Sequence, residues 1–74
     1  MTDLALNESI KRVIEALLFI SESPLPLERI GLVLEEVGPS EIRKAIEELK
    51  SEYESSKRSL VIQEVAGGYQ MTTS

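Results

Sequence analysis

The stretch "EVAGGYQMTT", residues 64–73, decides the fold. It holds a single charge, Glu64, then two adjacent glycines, and then Tyr69 and Met71 in alternation with polar side chains. The preceding run, Leu60 to Ala66, is rich in β-formers. Gly67-Gly68 supplies the positive φ of a tight turn, and Tyr69 to Thr73 returns as a second strand. A two-stranded hairpin alone is marginal in water, so its inner face must cover something. Two registers stay open. A two-residue turn places Ile62, Ala66, Tyr69 and Met71 on one face, whereas a three-residue turn with a bulge aligns Val61, Val65, Tyr69 and Met71.

What the hairpin covers is read by working back along the chain. Asn7 reads as a helix N-cap, with Glu8 at the positive end of the dipole and paired with Arg12 at i,i+4. Ile10, Val13, Ile14, Leu17 and Leu18 then recur at helical spacing. The helix should stop near Ser21, because Ser23 precedes Pro24. "SPLPL" predicts an extended connector or a very short edge strand. A second helix begins near Leu27, with Leu27, Ile30, Leu34 and Val37 on one face, and is ended by Gly38 at C′ and by Pro39. Ser40 caps a third, whose inward stripe is Ile42, Ala45, Ile46, Leu49 and Tyr53. The polar stretch around residues 51–59 closes it. Helix, extended piece, helix, tight turn, helix, hairpin is the order of a winged helix-turn-helix, mainly α with a C-terminal β-hairpin. We expect residues 1–74 to form one such domain, with the wing laid over the core that the helices leave open.

The chain has 74 residues, 42% hydrophobic and 28% charged, as expected of one globular domain. A chain this short buries only roughly 60% of the surface its unfolded form exposes, and its net stability is about 3–5 kcal/mol. It contains no cysteine and no histidine, so neither disulfides nor the usual zinc ligands can add to that, and no metal or cofactor is expected. Association with another chain is the remaining route. The longest apolar run, Ala16 to Ile20, falls far short of the roughly 20 residues that span a bilayer. "MTDLALNES" carries an acid where a signal peptide has bases, so a cytoplasmic protein is expected.

Enzyme chemistry finds little support. There is no glycine-rich phosphate loop, and Glu35-Glu36 and Glu47-Glu48 are helix neighbours that point apart, as on a solvated face. Phe19, Tyr53 and Tyr69 suit packing better than base stacking. DNA binding would place the third helix in the major groove. From Glu41 to Glu54, however, three bases (Arg43, Lys44, Lys50) face five acids, and the wing tip has no base. The net charge of −5 also repels phosphate, and Lys57-Arg58 reads as a solubilising turn. A DNA-binding domain of a transcription regulator is therefore the second reading. "ALLFI", residues 16–20, is apolar around most of the helix circumference. Either part of it meets a partner, or the wing and Pro24–Leu27 cover it all. Leu4 and Leu6 add apolar groups ahead of Asn7. If a patch exists, its candidates are Leu4, Leu6, Phe19 and Ile20, since Ile10, Ile14, Leu17 and Leu18 serve the intramolecular core better.

"IEALLFISESPLPLERI" (14–30) followed by "LVIQEVAGGYQM" (60–71) resembles the N-terminal winged helix of bacterial segregation and condensation protein B. The resemblance covers nearly the whole chain in order and spacing. It implies a non-enzymatic accessory subunit of the SMC chromosome-condensing complex, associated with the nucleoid through that complex. The implied partners are a second copy of the chain and the kleisin, segregation and condensation protein A, which closes the SMC ring; no direct sequence-specific DNA contact and no membrane are implied. Members usually continue into a second winged helix, which would make this chain an N-terminal fragment. Pro26 stands where the family commonly has a capping Ser or Thr, so the second helix should start poorly capped.

Overall fold

The computed structural model describes residues 2–56 and 59–73, with side chains from Leu6 onward. Helix α1 spans Thr2–Ile20, so the cap expected at Asn7 is not one. Leu4, Ala5 and Leu6 are good helix formers and carry the helix upstream. The Asn7 carboxamide, which unpartnered would compete for the local backbone, instead donates to Glu48 Oε1 at 3.0 Å across the domain. The helix ends where Pro24 requires, with the Ser21 amide still bonded to Leu17.

Helix α2 is short, Leu27–Val33, and starts on Pro26, which has extended geometry (φ −65°, ψ 149°) and no side-chain cap bond, as its lack of a hydroxyl implies. Leu34 and Val37 lie beyond α2 in the turn, joined by a 3.0 Å bond from the Val37 amide to the Leu34 carbonyl, yet both still pack on the core. The turn corrects two expectations. Gly38 is not the C′ residue of α2, and Ser40 is not the cap of the next helix. Helix α3, Pro39–Ser55, takes Gly38 as its N-cap (φ −71°) and Pro39 at its first position. A proline there gives up no hydrogen bond and arrives with helical φ already set, which draws the start ahead of Ser40. The Gly38 carbonyl accepts from the amides of Glu41 and Ile42.

All five residues of the expected α3 stripe are buried, together with Ile10, Ile14 and Leu18 of α1 and Ile30 of α2. The hairpin closes this core. Strands β1, Leu60–Val65, and β2, Gly68–Thr73, pair antiparallel through a two-residue turn, Ala66-Gly67. The turn has two residues, as in the first of the two readings, but it sits one position earlier than Gly67-Gly68, so the register shifts to oppose Val65 to Gly68, Glu64 to Tyr69 and Ile62 to Met71. Ala66 sits exposed in the turn rather than on the inner face. Gly67 supplies the positive φ (86°), and Gly68 belongs to the strand. "SPLPL" does become an edge strand, reduced to one residue: Leu25 and Tyr69 exchange backbone bonds of 2.7 and 2.9 Å. The wing is thereby tied to the α1–α2 connector, and Tyr69 is held in the core.

Candidate protein-interaction surface

Two kinds of surface surround this core. The first is a charged seam between α1 and α3. Lys11 is buried, a costly position for an ammonium unless it is paired. Its Nζ lies 3.1 Å from Glu8 and 3.7 Å from Glu48, and it also donates to Glu52. The hydrogen bond from Lys11 holds the Glu52 carboxyl below its ordinary value, and the same bond holds the Lys11 ammonium above its own. Arg12 continues the seam, 2.7 Å from Glu15, 3.5 Å from Glu52 and 3.6 Å from Glu8. The buried Tyr53 hydroxyl donates to Glu15. The Glu8–Arg12 pair was legible in the sequence, and Lys11–Glu8 and Arg12–Glu15 are just as local, at i,i+3. The bonds Asn7–Glu48, Lys11–Glu52 and Tyr53–Glu15 join residues about 40 positions apart, which no local spacing reports. These groups lock α1 onto α3.

The second surface is apolar. Phe19 and Ile20 are 71% and 73% exposed, so the wing and the Pro24–Leu27 segment do not cover the end of "ALLFI". Leu6 is 58% exposed; the Leu4 side chain lies outside the described residues. The candidates do not form one patch. Leu6 and Ile20 are fourteen residues apart on α1, about 21 Å at 1.5 Å per residue. They are instead the two ends of a stripe. Leu6, Ile10, Val13, Leu17 and Ile20 alternate steps of four and three, the spacing by which one helix docks along another. Ile10 is buried, Val13 and Leu17 are half-buried, and the ends are open. Phe19 lies off this stripe, about 100° around the axis from Ile20. The N-terminal half of the stripe forms one wall of an open groove of about 440 Å³, with Val33, Leu34 and Val37 opposite. Sequence reading missed Leu32 and Val33, 71% and 55% exposed. Their signal was available: both are apolar and fall off the inward face of α2.

The outer face of α3 is mixed and mostly acidic. Arg43 and Lys44 are exposed, but so are Glu41, Glu47, Glu52 and Glu54, and the turn of the wing is Ala66-Gly67. That is the wrong sign for a helix meant to lie among phosphates. Among the described residues no cluster of carboxylates could hold a metal ion, and no helix is long and apolar enough to cross a membrane.

Comparison with known proteins agrees with this geometry. The family model of segregation and condensation complex subunit ScpB matches residues 12–74. Segregation and condensation protein B of Syntrophotalea carbinolica is 38% identical over 64 residues, 86% of this chain and 32% of that protein. The homologue in Coxiella burnetii is 45% identical over 62 residues, 80% of this chain and 29% of that protein. The chain thus spans about a third of the length of the curated relatives it matches. Among solved structures, a dimer of the ScpB N-terminal domain complexed with a ScpA peptide superimposes with a TM-score of 0.82 at 32% identity, covering 90% of this chain and 83% of that one. The chain belongs to the ScpB family of segregation and condensation complex subunits.

Proposed function

We propose that residues 1–74 act as one winged-helix unit of a non-enzymatic accessory subunit of the SMC–kleisin complex, serving chromosome condensation and segregation in the cytoplasm. The unit pairs with a second copy of itself and grips the kleisin, segregation and condensation protein A, through which it reaches SMC. One observation carries this reading: the likeness, over most of both chains, to a domain that was solved as a dimer with a ScpA peptide. The open ends of the α1 stripe support self-association, since a two-fold interface buries the same patch on both protomers. The residues proposed for it are Leu6 and Ile20, with Phe19 beside them and Leu4 ahead of them. The acidic α3 face and the base-free wing tip support a domain that binds proteins rather than DNA.

The test is sedimentation of the protein across micromolar concentrations, with its melting temperature followed in parallel. A dimer whose melting point rises with concentration is expected, and Ile20→Glu together with Leu6→Glu should convert it to monomer. A wild-type monomer with a concentration-independent melting point would refute the self-association. Tight retention on a DNA column, lost steeply with added salt, would favour the transcription-regulator reading instead.

A further inference from the structure

The outward flank of the α1 stripe carries no charge. Leu6, Ser9, Val13, Ala16 and Ile20 recur at steps of three and four, so they share one side of the helix. All but the half-buried Val13 are exposed. The neighbouring cation, Arg12, is engaged by Glu8, Glu15 and Glu52 in the seam. The two ends of this face differ in shape. Beside Leu6, Ser9 and Val13 lies the open groove whose far wall is Val33, Leu34 and Val37, with Glu35 and Glu36 completing its lining. At the other end Ile20 stands 73% exposed. A face with a groove at one end and an open apolar side chain at the other complements a copy of itself turned end for end.

Charge favours the same occupant. The chain carries a net −5, so two copies repel each other unless they meet where acids are few, and these five positions hold none. We infer that α1 packs antiparallel against α1 of a second copy, with Val13 on the two-fold axis and Ile20 of each protomer seated at the Leu6 groove of the other. Leu6 and Ile20 lie seven residues on either side of Val13, so a two-fold through Val13 sets one against the other twice. A parallel pair would put both grooves at one end, crowding the Glu35 and Glu36 carboxylates of both copies, and would leave both Ile20 side chains at the other. The antiparallel pair keeps those acids at opposite ends and opposes the two helix dipoles. The pairing rests on the proposed self-association and deepens it to an axis and a groove.

The 74-residue chain contains no cysteine, so each introduced one is its sole site for a short thiol-to-thiol crosslinker. Val13→Cys should crosslink to its own copy. Leu6→Cys and Ile20→Cys should each fail to do so, because each lies about 21 Å along the axis from its own copy, yet the two variants should crosslink when mixed. Ala16→Glu changes an exposed helix position, so it should melt as a wild-type monomer does. It should nevertheless weaken the dimer at least tenfold in sedimentation, because it puts a carboxylate into the uncharged face. Added salt should tighten the wild-type dimer by screening the repulsion between two acidic copies. Self-crosslinking at Leu6 and at Ile20 would make the pair parallel and overturn the inference, as would a dimer that salt loosens. A wild-type dimer with no crosslink at Val13, or one that Ala16→Glu leaves unchanged, overturns the α1 pairing and leaves the functional proposal standing. A wild-type monomer overturns both the pairing and the self-association.

Discussion

Gly68→Ala is the smallest change that tests how the wing is attached. An added Cβ would lie 2.6 Å from both the carbonyl carbon and the oxygen of Leu25 and 2.9 Å from the Pro26 nitrogen. These are backbone atoms, so no flexible side chain can swing aside. The strand must back away from the connector, and the two Leu25–Tyr69 hydrogen bonds are the first contacts to go. Each contributes about 0.5–1.5 kcal/mol net, and forcing an extra methyl into a closed contact costs about 1–3 kcal/mol. A loss of about 2–6 kcal/mol follows from those two effects together. For a domain of this size, each kcal/mol lowers the melting temperature by about 4–8 °C. Set against a net stability of only about 3–5 kcal/mol, the substitution removes most of the folded population near physiological temperature.

Gly67→Ala is the control. Its Cβ meets open space and its only penalty is the left-handed φ, about 1–2 kcal/mol. The assay is thermal unfolding of wild type and the two variants, with the Leu25 and Tyr69 amides followed by hydrogen exchange. Gly68→Ala should melt well below Gly67→Ala and lose protection at Leu25. If Gly67→Ala were the more damaging, or if Gly68→Ala kept the Leu25 amide protected, the bridge would not be what fastens the wing.

Two further outcomes follow from the seam. Glu52 titrates below its ordinary value when folded, so its contribution is present above the unfolded carboxylate range and lost as pH falls through the folded pKa; Lys11 titrates above its own, so its contribution is present below the unfolded lysine range and lost as pH rises through the folded pKa. Melting temperature should therefore fall at both acid and alkaline extremes, and Glu52→Gln should flatten both limbs, which a pH series of thermal melts will show. Tyr53→Phe removes the hydroxyl donated to Glu15 while keeping the ring in the core, and should cost about 0.5–1.5 kcal/mol in a chemical denaturation curve.

The core was legible because burial imposes a period. Ile42, Ala45, Ile46, Leu49 and Tyr53 were read as one stripe, and all five are buried. The prolines of "SPLPL" were equally plain, since they forbid helix and leave Leu25 free to pair at an edge. Helix starts were less legible, because a cap residue offers a side chain that the tertiary structure can claim. Asn7 went to Glu48, and Ser40 was overtaken by a proline already shaped for the first helical position.

The paired glycines show most clearly where pattern reading stops. Read locally, Gly67-Gly68 is one feature, a turn. In the fold the two do different work: Gly67 bends the chain, and Gly68 makes room for a connector more than forty residues earlier in sequence. The apolar surface obeys the same rule. "ALLFI" could be seen to exceed one stripe, but which of its side chains stay outside depends on what the rest of the fold packs against α1. Leu18 is buried in the core, while Phe19 and Ile20, about 100° and 200° around the helix from it, are exposed. Exposure of this kind is set by packing between elements far apart in sequence, which no local pattern reports.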